Sequence, residues 1–212
     1  MRRIVSAIVN IILIIILPLL LKPELILNYK IIIIEIVVFI LWLTQPEFSI
    51  QETKQQKESD RFTVILILVM SVISIVVPVI QWAYFENGDS NFGLLCWIGV
   101  FFIIAGVWVR VWSIMQLGAF FTSTVQIKDE HSLVESGPYA LVRHPGYLGA
   151  FLCITSGPLI LNSAFGYVIA CISMGIAYYY RIKIEEERLL AYFGQTYENY
   201  RKKTKSIIPF IL

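Results

Sequence analysis

The sequence predicts an all-α, polytopic membrane protein with about six membrane segments, and two observations support this fold class. Of the 212 residues, 58% are hydrophobic and only 15% are charged, whereas a soluble domain carries about 25% charged residues. Several stretches with little or no charge also approach the roughly 20 apolar residues that a helix needs to cross a bilayer. The net charge of +2 is too small to indicate a nucleic-acid partner.

The first half of the chain predicts four membrane-spanning helices. Each segment is apolar over about the length that a bilayer crossing requires. The segments are residues 4–21, 25–44, 62–85 and 92–109, the last of which is expected to continue to about Leu117. No small-residue cleavage site follows the first apolar run, which indicates a retained signal anchor rather than a cleaved signal peptide.

Besides Lys30 in the second segment, two ionisable residues interrupt these apolar segments. Glu35 lies within the second segment, and Arg110 follows the uncharged part of the fourth. Charged side chains at membrane depth are costly and commonly functional, although either side chain could instead extend to the membrane surface. Both residues are therefore candidates for a functional role.

The longest uncharged stretch, residues 147–180, predicts a helical hairpin. One straight helix of that length would reach about 50 Å, whereas the hydrocarbon core of a bilayer is about 30 Å thick. Glycine, proline, asparagine and serine lie at the centre of the stretch, and these residues interrupt helices. We therefore expect two helices, over 147–161 and 165–181.

The basic residues predict the orientation in the membrane. With six crossings, the N-terminus, the 45–61 and 119–146 loops and the C-terminal tail share one side and hold most of the 17 Lys and Arg residues, while Lys22 and Lys30 lie on the other side. The positive-inside rule places both termini in the cytoplasm. The Ile- and Lys-rich composition is typical of a prokaryotic protein, which predicts a prokaryotic plasma membrane.

The chain is expected to form one integrated domain in two sections. Residues 1–118 supply four transmembrane helices, and residues 119–212 supply a loop, the membrane hairpin and a C-terminal helix. Because the polar segments 119–146 and 181–212 fall on the same side in this topology, a cytoplasmic pocket could form between them.

The first polar segment, residues 126–147, contains both histidines of the chain, His131 and His144. It also contains the turn-forming pair Gly137-Pro138. An ordinary connecting loop is the simplest interpretation. A His-Pro-x-Tyr sequence at the mouth of a membrane hairpin, however, is not easily explained by packing and also indicates a binding site.

The second polar segment, residues 181–200, places three charged residues on one helix face. Arg181, Glu185 and Arg188 are spaced at i, i+4 and i+7. The simplest interpretation is a set of solvated ion pairs, each worth about 0.3–0.5 kcal/mol. Because Arg181 ends an apolar helix at the membrane boundary, it could equally hold an anion that arrives from the lipid.

The cysteines give no indication of a metal site. Cys96, Cys153 and Cys171 each lie within an apolar run, and none belongs to a CxxC pair. We expect them to pack as small hydrophobic side chains. The sequence contains no P-loop, HExxH or GxSxG motif, so neither a metal nor a nucleoside triphosphate is expected as a partner.

Taken together, the two polar segments resemble the isoprenylcysteine carboxyl methyltransferase family, which comprises integral membrane enzymes that use S-adenosylmethionine. The resemblance runs from about Gln126 to Phe210. The matching stretches are VQ at 125–126, HSLV at 131–134, SGPYALVRHPGYLG at 136–149, EEERLLAYFG at 185–194, YENY at 197–200 and IPF at 208–210. The chain is shorter than the eukaryotic members, as the prokaryotic members are, which predicts a prokaryotic-type member.

The resemblance implies a set of site residues. Those expected to hold S-adenosylmethionine are Gln126, His131, Ser132, Leu133, Val134, Tyr139, His144, Pro145, Gly146, Tyr147 and Glu185. The family's substrate-side arginine corresponds to Arg181, one turn before Glu185, and is expected to orient the substrate carboxylate.

The implied reaction is transfer of a methyl group to the carboxylate of a lipophilic, isoprenylcysteine-like substrate taken from the lipid membrane. A carboxylate with a pKa near 3.5 is ionised at neutral pH and needs no general base. Two alternatives remain open. A phospholipid or small-amine N-methyltransferase would need a base, for which His144 or Glu186 could serve, and a non-enzymatic membrane protein could retain the motif as structure.

Overall fold

The computed structural model of the protein describes residues 2–45, 58–121 and 133–208, and within these ranges it is helical. Seven α-helices follow one another within these described ranges: α1 (Arg2–Ile11), α2 (Tyr29–Leu43), α3 (Glu58–Ile80), α4 (Leu94–Leu117), α5 (Pro145–Ile160), α6 (Ala164–Phe193) and α7 (Gln195–Lys203). Short π and 3₁₀ turns extend α1 to Leu19 and α3 to Phe85. The predicted all-α class is confirmed for the described residues.

Among the described residues, three helical segments are long and apolar enough to cross a membrane. These are Asp60–Phe85, Leu94–Leu117 and Ala164–Phe193. Arg3–Leu19 and Pro145–Ile160 are shorter apolar helices, and α2 has 15 residues, or about 22 Å. The prediction of an integral membrane protein is supported, but six full-length spans are not. The length of an apolar run in the sequence does not show how many of its residues lie in turns outside the helix.

The predicted hairpin is present, with a longer second arm. Helix α5 ends at Ile160, and α6 begins at Ala164 after Ser163, whose hydroxyl accepts a hydrogen bond from the amide of Gly166. Helix α6 then continues to Phe193 and ends at Gly194, whose positive φ of 53° favours glycine. The charged residues after position 181 therefore belong to the same helix as the preceding membrane segment.

Glycines bring α4 and α5 into close contact. A Cβ on Gly106 would lie 2.7 Å from the carbonyl oxygen of Gly149 and 2.8 Å from the Sγ of Cys153. A Cβ on Gly149 would lie 2.7 Å from the amide nitrogen of Arg110. Small residues allow this approach of helix backbones within a bilayer, and the contact places the first turn of α5 beside Arg110.

Helices α3 and α6 meet through a second close contact. A Cβ on Gly166 would lie 2.7 Å from the ring of Pro78. The Oε1 of Gln81 accepts hydrogen bonds from the Ser163 hydroxyl at 2.5 Å and from the Gly166 amide at 3.2 Å. Because this end of the α3–α6 pair is fixed, the other end, where Asp60 and Arg181 lie, is held in register.

Candidate active site

A cavity of about 690 Å³ lies between the helices. Its volume falls in the range of about 300–1,000 Å³ that is typical of small-molecule sites. One end is lined by polar and aromatic side chains of α5, α6, α7 and the 133–144 segment, and the other by mostly apolar side chains of α1, α2 and α3. The cavity can thus accommodate a ligand with a polar head and an apolar tail.

Most of the predicted site residues that the structure describes line the polar end. They are Leu133, Val134, Tyr139, His144, Gly146, Tyr147, Arg181 and Glu185. Pro145 is the first residue of α5 and is buried, but it does not line the cavity. Gln126, His131 and Ser132 lie outside the described residues, so their assignment stays a prediction.

Tyr147 connects the two key residues of α6. Its hydroxyl donates a hydrogen bond of 2.7 Å to Oε2 of Glu185, and it accepts one of 3.2 Å from Nε of Arg181. Arg181 and Glu185 are one helical turn apart and therefore share a face. The phenol of Tyr147, in the first turn of α5, fixes the position of both side chains relative to each other.

Arg181 also pairs with a carboxylate that sequence reasoning missed. Its Nη1 donates to Oδ1 of Asp60 and, at 3.1 Å, to the hydroxyl of Thr63. Arg188, the next charged residue on the same face, has its Nη1 3.8 Å from Oδ2 of Asp60. The side chain of Asp60 is 1% exposed. The i, i+4, i+7 face of α6 is therefore an electrostatic cluster in which Arg181 is buried and Glu185 and Arg188 are half-buried, rather than a solvated ladder.

A second cluster surrounds Glu186. Its Oε1 accepts a hydrogen bond of 2.7 Å from Nε of Arg143 and lies 3.1 Å from Nε2 of His144. Its Oε2 lies 3.5 Å from Nε of Arg201. Both side chains considered above as possible bases, His144 and Glu186, are thus engaged with each other, which favours a structural role for the pair.

The C-terminal segment holds the loop that carries the predicted donor-binding residues. The amides of Arg143 and His144 donate to the carbonyl oxygens of Lys205 and Ser206 at 2.8 and 3.0 Å. The hydroxyl of Tyr200 donates to the carbonyl oxygen of Tyr139 at 2.7 Å. The described part of the first polar segment, residues 133–147, is therefore joined in space to the C-terminal segment that contains Tyr200, Lys205 and Ser206.

Burial keeps the phenol of Tyr139 neutral. The side chain is 7% exposed, and burial together with the nearby Glu185 carboxylate raises the pKa of Tyr139 well above its ordinary value. Its hydroxyl lies 3.5 Å from the carbonyl oxygen of Ser113 in α4. The polar end of the cavity therefore presents Tyr139 as an uncharged group.

Of the two ionisable residues noted in the apolar segments, only Arg110 reaches the cavity. Its Nε donates to the hydroxyl of Thr44 at 2.9 Å, and its Nη1 donates to the carbonyl oxygen of Gly146 at 3.2 Å. Its guanidinium lies 5.8 Å from the ring centre of Phe121. Glu35 is partly exposed and does not line the cavity.

Comparison with known proteins supports a relationship with one family. The family model of the isoprenylcysteine carboxyl methyltransferase (ICMT) family matches residues 97–191. The match begins in α4, well before Gln126, so it includes Arg110 and the glycine contact with α5.

Individual relatives carry the name protein-S-isoprenylcysteine O-methyltransferase. The protein from Dictyostelium discoideum is 36% identical over 138 residues, which cover 62% of this chain and 56% of the relative. The protein from Schizosaccharomyces pombe is 35% identical over 112 residues, covering 52% and 48%. The chain thus spans about half the length of these relatives. Both are eukaryotic, so the prediction of a prokaryotic-type member in a prokaryotic plasma membrane is not supported.

A solved structure is similar over nearly the whole chain. It is described as the eukaryotic intramembrane Ras methyltransferase ICMT, and it is 27% identical in sequence, with a TM-score of 0.63. The superposition covers 94% of this chain and 73% of that one. The similarity therefore extends to the first hundred residues, where the sequence shows only hydrophobicity.

Proposed function

We propose that the protein is a membrane methyltransferase that uses S-adenosylmethionine to esterify the carboxylate of a lipophilic, isoprenylcysteine-like acceptor. The main support for this proposal is a cavity that holds Glu185, Tyr147 and Arg181 at its polar end and is apolar at its other end. A water-soluble donor and a lipid acceptor need such a shared space. The names of the relatives, which denote this reaction, agree with the proposal.

The residues of the polar end have the chemistry that the methyl donor requires. Glu185 lines the cavity with a side chain that is 27% exposed, so its carboxylate can accept hydrogen bonds from an ammonium group or from ribose hydroxyls. Leu133 and Val134 offer backbone groups, and Tyr139 and Tyr147 offer aromatic rings. When bound, S-adenosylmethionine supplies a methyl group carried on a positively charged sulfur.

Arg181 is positioned to orient an incoming carboxylate. It lines the cavity, and Asp60, Thr63 and Tyr147 hold its guanidinium in one orientation. Hydrogen bonds between a guanidinium and a carboxylate are charge-assisted and therefore strong, and restraint of the guanidinium fixes their direction. Because the acceptor is already ionised at neutral pH, the chain needs to align it and exclude water rather than remove a proton.

The apolar end of the cavity fits a lipid tail. It is lined by side chains from three helices, including Ile14 of α1, Val38 and Leu41 of α2, and Ile67 and Leu68 of α3. Burial of each methylene group in such a lining contributes about 0.8 kcal/mol. We infer that the acceptor's hydrocarbon chain occupies this end while its carboxylate reaches Arg181.

We also infer that helices α1 to α6 all lie in the bilayer. The polar end of the cavity and both termini of the chain would then face the cytoplasm. The shorter helices would be accommodated by local thinning of the bilayer. Lys202, Lys203 and Lys205, near the polar end, suit a cytoplasmic location. A cysteine placed at Lys202 in closed, right-side-out vesicles should then resist an impermeant maleimide until detergent is added.

Binding of the product S-adenosylhomocysteine provides the first test of this function. Calorimetry on the detergent-purified protein should give a dissociation constant in the micromolar range. A folded protein that binds neither S-adenosylhomocysteine nor S-adenosylmethionine would support the non-enzymatic alternative. Labelled S-adenosylmethionine should then be offered with a panel of lipid carboxylates and lipid amines, because a base-labile product identifies an ester.

Two variants separate the donor and acceptor halves of the site. Glu185→Gln removes the charge of the carboxylate and should weaken S-adenosylhomocysteine about 10-fold or more, since hydrogen bonds to charged groups contribute about 1.5–3 kcal/mol. Arg181→Lys keeps the positive charge opposite Asp60 but replaces the planar guanidinium by a flexible ammonium group. It should leave product binding within about twofold and lower turnover at least 10-fold. Equal effects of the two variants on binding would contradict this division.

A further inference from the structure

Tyr197, in the short helix α7, has a hydroxyl with no assigned role. The side chain is 1% exposed, and its hydroxyl has no hydrogen-bond partner among the residues that the structure describes. It nevertheless lines the large cavity. Buried polar groups in proteins are nearly always paired, so an unpaired one requires an explanation.

The next tyrosine of α7 has a paired hydroxyl and therefore serves as a reference. Tyr200 is one helical turn further on, its ring centre is 6.0 Å from that of Tyr197, and it is 3% exposed. Its hydroxyl donates to the carbonyl oxygen of Tyr139 at 2.7 Å. The two tyrosines thus share a helix and a degree of burial, but only the hydroxyl of Tyr200 stabilises the protein by itself.

The position of Tyr197 follows from the turn that precedes it. Gly194, with a φ of 53°, ends α6 and begins α7, so the chain turns back towards residues a little more than two turns earlier in α6. The phenol of Tyr197 consequently lies near the carboxylates of Glu185 and Glu186 and the guanidinium of Arg143. Glu185 and Arg143 line the polar end of the cavity, and Glu186 belongs to the second cluster described above.

The phenol of Tyr197 is available as a donor but not as an ion. Burial, reinforced by the Glu186 carboxylate, raises the pKa of Tyr197 well above its ordinary value, so it stays protonated at neutral pH. Glu186 already accepts from Arg143 and His144, and Glu185 accepts from Tyr147. No described residue accepts a hydrogen bond from the Tyr197 hydroxyl, and Tyr197 lines the cavity, so a ligand in the cavity can supply the acceptor.

We propose that the hydroxyl of Tyr197 donates a hydrogen bond to the bound methyl donor, which makes α7 part of the donor-binding site. This inference rests on the proposed function, because it presumes that S-adenosylmethionine occupies the polar end of the cavity. It adds a residue from the YENY stretch, to which the resemblance gave no role. The cost of burying an unpaired hydroxyl in the empty protein is offset when the ligand binds.

The pair Tyr197→Phe and Tyr200→Phe tests this inference. Each change removes one hydroxyl and keeps the ring. For Tyr197→Phe we expect S-adenosylhomocysteine affinity, measured by calorimetry, to fall about twofold to tenfold, the loss expected for one neutral hydrogen bond. The Tm of the ligand-free variant should be equal to or above that of the wild type, because no internal hydrogen bond is lost. Tyr200→Phe should instead lower the ligand-free Tm.

The possible results are distinguishable. Unchanged affinity in Tyr197→Phe, with the wild type binding normally, would overturn the inference and leave the proposed function intact. A ligand-free Tm that falls as far as in Tyr200→Phe would also overturn it, since the hydroxyl would then be structural. A change confined to the KM of the lipid acceptor would overturn it as well. Failure of the wild type to bind would instead contradict the proposed function.

Discussion

Asp60 should be essential to the stability of the fold because it neutralises a buried guanidinium. The Asp60 and Arg181 side chains are 1% and 4% exposed, and the two groups are in direct contact. Asp60→Ala would leave Arg181 with hydrogen bonds to Thr63 and Tyr147 but without this carboxylate. Removal of one partner of a buried ion pair costs about 3–5 kcal/mol, because the remaining charge is not compensated.

The size of the effect can be resolved into charge and hydrogen bonding. Asp60→Asn keeps an oxygen that can accept from Arg181 but removes the negative charge. The retained hydrogen bond to the charged guanidinium contributes about 1.5–3 kcal/mol, so Asp60→Asn should destabilise the protein less than Asp60→Ala by about that amount. At about 2–4 °C per kcal/mol for a chain of this size, Asp60→Ala should lower Tm by roughly 6–20 °C, and Asp60→Asn should have a Tm roughly 3–12 °C above that of Asp60→Ala.

Thermal unfolding in a single detergent, at one scan rate and without ligand, measures both variants. Glu198→Ala is the matched control: its side chain is 39% exposed and pairs with Arg201 at 3.6 Å, and exposed pairs contribute little. If Asp60→Ala lowers Tm no further than Glu198→Ala does, the buried pair does not stabilise the protein. If Asp60→Asn proves as destabilising as Asp60→Ala, the charge rather than the hydrogen bond accounts for the whole effect.

Two further predictions concern the reaction and the packing. With a saturating lipid carboxylate as acceptor, the rate should be nearly constant between pH 6 and pH 9. The acceptor is fully ionised in this range, and Tyr139 and Tyr197 stay neutral because their pKa values are raised. A rate that rises tenfold per pH unit would instead favour an amine acceptor. Gly106→Ala should destabilise the protein by about 1–3 kcal/mol, because its methyl group would meet backbone and Sγ atoms of α5 within 3 Å. Gly175→Ala, which meets nothing within 4 Å, should leave Tm unchanged or slightly raised.

The sequence predicts the parts of the site that are continuous in the chain. The helix-breaking residues placed the hairpin correctly, and the i, i+4 spacing of Arg181 and Glu185 predicted that both would face one site. The Tyr147 hydroxyl that joins them was also among the predicted residues. The hairpin and the shared helix face depend on local geometry, which the order of the residues determines directly, whereas Tyr147 was predicted from the family resemblance and the roles of the three residues stay a prediction.

The missed residues belong to contacts that only the folded chain creates. Asp60 and Arg181 are 121 positions apart, and Asp60 by itself looks like an ordinary acidic residue in the first turn of a helix. The unpaired hydroxyl of Tyr197 is likewise invisible in the sequence, because Tyr200, in the same motif, is paired. The first two membrane segments were predicted to be longer than the helices found for a related reason: hydropathy does not report where α1 ends and α2 begins.

The Asp60 contact changes the role that can be assigned to Arg181. An isolated arginine at the membrane boundary would attract an anionic lipid through its net charge. Here Asp60 compensates the charge of Arg181 before any acceptor arrives. Arg181 therefore attracts a distant carboxylate only weakly, and its remaining contribution is to orient a carboxylate that is already in contact with it. Asp60, Thr63 and Tyr147 restrain the guanidinium and so fix the orientation of its plane. Lysine at this position would preserve the charge balance but would lack the planar guanidinium that orients the carboxylate. Arg181→Lys should therefore change turnover more than it changes donor affinity or folding.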